Sequence, residues 1–222
     1  ERLVGSEMCI RDSNYINLMA KMVEEQIAKD LAVAHLPSQI GIVLTNHGCP
    51  HKAKGFTSGI DESQALYESV RECLINRFAL ISVGWLNHDT PLIEWTQPDA
   101  KTAAQNLIEL GATAIIFMPI GFATENHETL LDVEHIIEGL RRKHPEVTYR
   151  QMPCVNDRSE FLQMAAQWAN LYIQELLSEN ALAVNPSLAV AQARSTHSHS
   201  HNGEHGHSHG HDHHHEHHHH HH

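Results

Sequence analysis

The stretch DAKTAAQNLIELGATAIIFMPIGFATENHETL, residues 99 to 130, holds one full period of the pattern that sets the fold. Asp99 to about Leu110 reads as a helix closed at Gly111, because glycine takes the left-handed backbone of a C-cap without steric penalty. Thr113 to Pro119 then reads as a short apolar strand. The loop that follows ends where Thr124 or Asn126 can cap a further helix, from His127 to Leu140.

The same alternation continues on both sides. Upstream, Tyr15 to Ala34 carries apolar residues at Ile16, Met19, Val23, Ile27 and Leu31, the recurrence of an amphipathic helix. Ile40 to Thr45 reads as a buried strand, Glu62 to Ile75 as a helix and Ala79 to Trp85 as a strand. Downstream, Val147 to Met152 is a strand and Glu160 to Leu177 a closing helix, with Pro145 and Pro153 as punctuation. Short apolar strands separated by helices specify an α/β fold, a doubly wound, mainly parallel four-stranded sheet with helices on both faces. Such sheets bind ligands at the carboxyl ends of their strands. The loops beginning at Asn46, Leu86, Ile120 and Pro153 are therefore expected to carry the chemistry.

Composition divides the 222 residues unevenly. Residues 14 to 180 alternate apolar and amphipathic segments and form one domain of roughly 165 residues, long enough for a sizeable core. Residues 181 to 196 read as a linker, and residues 197 to 222 as a disordered, histidine-rich tail without apolar side chains. At the other end, Met8 to Ser13 (MCIRDS) back-translates in frame onto a transposon-end adapter used in sequencing libraries. Residues 1 to 13 are accordingly expected to be foreign sequence or disordered.

The formal charge of -12 excludes a nucleic-acid partner, which needs clustered Lys and Arg, and favours cations as ligands. Four separated cysteines without a CxxC pair suggest neither a disulfide framework nor a zinc ribbon. No apolar run approaches the roughly 18 residues needed to span a bilayer. A soluble protein of the reducing cytoplasm is expected, with peripheral membrane attachment as the alternative.

His47 closes an apolar strand within Thr45-Asn-His-Gly-Cys-Pro50, where an imidazole can accept or pass a proton near neutral pH. A satisfied strand-end histidine is the structural alternative. Glu125, His127 and Glu128 surround the positive end of a helix, where carboxylates are favoured and capping alone can account for them. Along that helix Asp132 follows Glu128 by four residues and His135 follows Asp132 by three, a spacing that places them on one face. Such a row could pass a divalent cation or could be a solvated surface.

Taken together these segments resemble the ferrochelatase family. Its first motif reads approximately Ser-Ala-His-Gly-Leu-Pro, matched here by the His, Gly and Pro of residues 45 to 50. Its second reads approximately Pro-Ile-Ser-Phe-Val-Ser-Glu/Asp-His-Ile-Glu-Thr-Leu. Pro119, Ile120, Phe122, Glu125, Glu128, Thr129 and Leu130 fall on it. Pro91 to Pro98 is similar to the Gly-Pro-x-x-Trp-Leu-x-Pro segment, and Pro153 to Asp157 to Pro-x-Leu-Asn-Asp. The resemblance spans about residues 14 to 175 and corresponds to the C-terminal half of the family's two-domain fold.

The resemblance implies a lyase of heme biosynthesis that inserts ferrous iron into protoporphyrin IX. The metal is then a substrate, and no organic cofactor is implied. It places the catalytic pair on His47 and Glu128, an acidic position on Asp132 and the tryptophan beside the cleft on Trp95. Asn87 and His88 stand where the family has Gln-Ser and are expected to face the tetrapyrrole. His47, Glu125, Glu128, Asp132 and His135 are the expected metal ligands, the last from helical spacing alone. Two departures stand out: the histidine preceding the family's Ile-Glu-Thr is Asn126 here, and the next position is His127. A shift by one residue rotates a helical side chain by about 100°.

An N-terminal domain or a second copy of the chain is expected to complete the cleft. In the tail His197, His199, His201, His205, His207, His209 and His211, interleaved with Ser, Gly and Asn, are expected to bind Co2+, Ni2+ or Zn2+. The last six histidines alone have the form of a purification tag. A cobalt or nickel chelatase for another tetrapyrrole, and a non-catalytic metal-storage protein on the same scaffold, are the alternative readings.

Overall fold

The computed structural model describes residues 13–50, 59–88 and 92–184. The chain divides into two compact units, Glu1–Asn170 and Leu171–His222. The first contains the sheet, and the described part of the second continues the last helix to Val184. Residues 1–12 and 185–222 lie outside the described residues, and with them most of the adapter-like segment and every tail histidine from His197 onward.

In chain order the described residues form α1 (Ser13–Gln26, continued by a π turn at Ile27–Leu31), β1 (Ile40–His47), α2 (Ile60–Leu74) and β2 (Leu80–Leu86). Next come α3 (Ala100–Glu109), β3 (Ala114–Pro119), a π turn at Glu128–Asp132, α4 (Val133–Lys143), β4 (Thr148–Gln151) and α5 (Ser159–Val184). The four strands are all parallel, in the order β2-β1-β3-β4. The α/β sheet read from the sequence is thus the sheet observed. Two helices depart from regular α geometry, and the first of them closes in the π turn at Ile27–Leu31. The helix expected from His127 to Leu140 opens with a π turn before becoming α-helical at Val133.

Period-two alternation divides the core between the two faces. Ile40, Ile42 and Leu44 of β1 join Ala114, Ile116 and Met118 of β3 against α1 and α2, for example at Met19, Val23 and Val70. Val43, Ile115 and Phe117 point the other way, onto α3 and α4 at Ala103, Leu107, Ile137 and Leu140. With β1 and β3 buried on both faces, each fully buried Ile or Leu contributes about 1.5–3 kcal/mol of transfer free energy. Gly84 lets α3 lie directly on β2, since a Cβ there would stand 2.9 Å from Ala100 Cα and 2.4 Å from Val43 Cγ1.

The strand order also says where a ligand belongs. From β1 the chain winds outward to β2, then crosses back to place β3 on the other side of β1. The carboxyl ends of β1 and β3 therefore flank the topological switch point, where the flanking loops separate and leave a crevice. His47 is the last residue of β1, and the loop to Glu128 leaves from Pro119 of β3. The amides of Ile120 and Gly121 donate to Thr45 O at 3.1 and 3.3 Å, holding the start of that loop against β1. Among the described residues no helix is long and apolar enough to cross a membrane.

Candidate active site

The His47 side chain is 46% exposed, although the rest of its strand is buried. Its Nδ1 lies 2.6 Å from Gly48 O. A carbonyl only accepts, so this bond places the proton on Nδ1 and makes Nε2 the lone-pair nitrogen of the neutral ring. Nε2 stands 3.3 Å from Nε2 of His88 and 3.8 Å from Oε1 of Glu128. The second distance is beyond hydrogen-bond length but short enough for both atoms to bind one small cation.

Three loops bring these groups together. Gly48 N–H donates to Leu86 O at 2.8 Å, which ties the end of β1 to the end of β2. Asn87, the next residue, donates through Nδ2 to Thr96 O at 2.8 Å and accepts from Thr96 Oγ1 at 3.3 Å. Thr96 is buried and also exchanges backbone contacts with Cys49, accepting from Cys49 N–H at Oγ1 (3.2 Å) and donating its own N–H to Cys49 O (3.0 Å). This lacing sets the position of His88, whose ring lies edge-on between His47, 5.2 Å away, and Trp95, 5.4 Å away.

The third loop carries Glu128, which is 19% exposed. Asn126 and Thr129 cap the start of the helical segment reciprocally. Asn126 Oδ1 accepts from Thr129 N–H at 2.9 Å, and Thr129 Oγ1 accepts from Asn126 N–H at 3.0 Å. Of the two caps read from the sequence, Asn126 is the one used. Gln151 Nε2 also donates to Thr129 O, anchoring the π turn to β4.

The candidate residues do not all converge. Among the described residues His47, His88 and Glu128 form a group whose possible ligand atoms all lie within 4.8 Å of one another. Glu125, expected among the ligands, instead accepts from Cys154 N–H at 2.7 Å, while its own N–H donates to Asn156 Oδ1 at 3.3 Å. It fastens the β3 loop to the β4 loop. Burial, reinforced by the Glu125 charge, pushes the Cys154 thiol up to about 11.

The row expected along one helix face is also divided. Asp132 Oδ1 lies 3.6 Å from His127 Nε2, and Asp132 and His135 face an open cavity of about 1060 Å³. The π turn accounts for the first contact, because its i→i+5 bonding brings residues five apart, such as His127 and Asp132, over one another. Asn87, His88 and Trp95 line the same cavity, with Lys101 and Arg142 as its cations. His88, read from the sequence as a substrate-side residue, thus belongs both to the cavity and to the imidazole–carboxylate group. The available signal was an imidazole two residues past a strand end.

The ferrochelatase family model matches residues 8–171. Ferrochelatase from Rippkaea orientalis is 23% identical over 171 residues, covering 74% of this chain and 41% of that protein. That from Nostoc punctiforme is 24% identical over 190 residues, covering 82% and 44%. The Prochlorococcus marinus (strain MIT 9211) enzyme is 24% identical over 168 residues, covering 69% and 40%. The chain spans about two fifths of the length of these relatives. With most of the first compact unit matched by the family model, and the matched motifs standing at the switch point of its sheet, the chain belongs to the ferrochelatase family.

Proposed function

We propose that this chain is the metal-handling half of a ferrochelatase, a lyase that inserts Fe2+ into protoporphyrin IX in heme biosynthesis. Insertion exchanges two pyrrole N–H protons for one divalent ion, so the site must accept protons and present a partly dehydrated metal. The observation that supports this reading is the placement of His47 Nε2, 3.3 Å from His88 Nε2 and 3.8 Å from Glu128 Oε1, at the switch point of the sheet. His47 accepts a pyrrole proton at Nε2, and Glu128 relays proton or metal.

Asn87 and Trp95 form the tetrapyrrole side of the large cavity, where Lys101 and Arg142 can meet propionate groups. Asp132 and His135 provide a polar approach for the metal along its wall. An N-terminal domain or a second copy of the chain covers the open side. The tail, from His197 to His211, holds and delivers late divalent ions. The protein works in the cytoplasm.

The test is metal insertion into protoporphyrin IX, followed by loss of porphyrin fluorescence, with the chain assayed alone and with an N-terminal chelatase half supplied in trans. His47→Ala and Glu128→Ala are each expected to lower the rate by about 10²-fold or more, the scale of a lost proton-transfer group. Unchanged rates in both variants would remove the catalytic assignment. No insertion in either arrangement would remove the chelatase reading itself.

A further inference from the structure

His88 stands on a loop where the resemblance leads one to expect serine, and its Nε2 faces the Nε2 of His47. We propose that His88 is a third metal ligand, so that His47, His88 and Glu128 form an open His2Glu site for a divalent metal substrate that accepts nitrogen donors, Fe2+ or an ion of the zinc or cobalt class. That such an ion is then inserted rests on the chelatase reading above, in which His47 Nε2 accepts a pyrrole proton once the ion has passed from it to the tetrapyrrole. The binding itself does not.

Four observations carry the assignment. Two imidazole nitrogens, each 2.0–2.1 Å from one tetrahedral ion, stand about 3.3 Å apart. The two Nε2 atoms are 3.3 Å apart here. The carboxylate completes the set, with Glu128 Oε1 3.8 Å from His47 Nε2 and all three ligand atoms within 4.8 Å of one another. The outer nitrogen of His47 is bonded to a backbone carbonyl, Gly48 O, the kind of partner that fixes the tautomer and orientation of metal-binding histidines.

The last observation concerns access. His88 lines the large cavity, so the group borders the space proposed for the tetrapyrrole. Three protein ligands with one position open is the arrangement of catalytic zinc sites. Two imidazoles and one carboxylate favour borderline ions such as Zn2+ and Co2+ over the oxygen-preferring Mg2+ and Ca2+. The competing account of the 3.3 Å separation is a single proton shared between the two rings, and metal affinity separates the two.

The experiment uses the 222-residue chain with each histidine from His197 to His222 replaced by glutamine, so that the tail does not compete. Zn2+ alone is titrated against a chromophoric chelator, and Co2+ alone is followed by its visible absorption. We expect one equivalent of Zn2+ per chain and an intense four- or five-coordinate Co2+ spectrum. His88→Ala and His88→Gln should weaken Zn2+ binding at least tenfold and abolish that spectrum, since loss of even an outer partner costs 10–100-fold. His144→Ala, outside the group, should change neither, and metal-free thermal unfolding should be the same in all.

Equal Zn2+ affinity in His88→Ala and its parent overturns the proposal, as does absence of one-equivalent binding. If His47→Ala loses Zn2+ while His88→Ala keeps it, the third ligand is refuted and the His47–Glu128 chelatase reading stands. If His88→Ala loses Zn2+ yet no tetrapyrrole is ever metallated, the metal site stands and the chelatase reading falls.

Discussion

Gly48→Ala is expected to damage both the stability of the domain and the geometry of its imidazole pair, through one contact. A Cβ at residue 48 would sit 1.7 Å from Asn87 Oδ1, closer than any non-bonded pair tolerates, and 3.0 Å from the Leu86 carbonyl oxygen. The backbone of β2 cannot yield cheaply, so the Asn87 side chain must leave. Its departure breaks the bond to Thr96 O at 2.8 Å and the bond from Thr96 Oγ1 at 3.3 Å. Each is worth about 1 kcal/mol net, and the Thr96 carbonyl, in a residue only 3% exposed, is left unsatisfied at about 1–3 kcal/mol. The sum, discounted for partial relaxation, is about 2–4 kcal/mol.

With a urea m-value of about 2 kcal/mol/M, that lowers the unfolding midpoint by about 1–2 M. Urea unfolding followed by tryptophan fluorescence reports it directly, because Trp85 and Trp95 flank the affected loops. The sharper measurement is the pairing with Asn87→Ala. If the mechanism holds, the double variant costs little more than Asn87→Ala alone, because the group that clashed is gone. Additive effects, or a Gly48→Ala cost below about 0.5 kcal/mol, would refute the reasoning.

Three further outcomes are expected. Asn126→Ala should destabilise by about 1 kcal/mol through loss of the reciprocal cap, while Thr124→Ala leaves the urea midpoint unchanged; equal effects would mean the cap is misassigned. Gly84→Ala should cost about 1–3 kcal/mol, because α3 must move off β2 to admit the methyl group, and an unshifted thermal midpoint would contradict that. The Cys154 thiol, pushed up to about 11 mainly by burial, keeps its proton in the folded state after the unfolded thiol, with a pKa near 8.5, has lost it. Its contribution is therefore fully present below about pH 8.5 and is lost as pH rises towards about 11, a fall of ~2–3 kcal/mol. Urea midpoints measured across that range should drop less steeply for Cys154→Ala, and parallel profiles would exclude the assignment.

The fold was legible because its signals are local. Runs such as Ala114 to Pro119 are apolar throughout, as strands buried on both faces must be, and Gly111, at φ +104°, marks a helix end by backbone conformation alone. His47 and the Glu128 loop were legible for a related reason, since strand ends in a parallel sheet are where ligands bind. The standing of the remaining candidate residues depends on tertiary facts. Glu125 reads as a metal-site carboxylate until the β4 loop brings the Cys154 N–H onto it. His88 reads as a residue beside the substrate until the Asn87–Thr96 bonds swing its ring onto His47. Neither partner lies within reach of a local pattern.

The π turn at Glu128–Asp132 is where local preference and site geometry conflict. In an uninterrupted α-helix Leu130 would lie three residues before Val133 and seven before Ile137, on the buried stripe. It is instead 51% exposed and Leu131 is 50% exposed, while Thr129 occupies the buried position at 2%. Half-exposing two leucines forgoes roughly 1–3 kcal/mol of burial, so something must hold the turn in place. The Asn126–Thr129 cap and the Gln151 bond to Thr129 O do so, and both act on the residue beside Glu128. The inserted residue also has a geometric consequence. It brings Asp132 over His127, five residues back, while Glu128 faces His47 and Asp132 and His135 stand on the cavity wall. Single π turns concentrate at functional sites, and here the forgone burial coincides with the carboxylate that stands 3.8 Å from His47 Nε2.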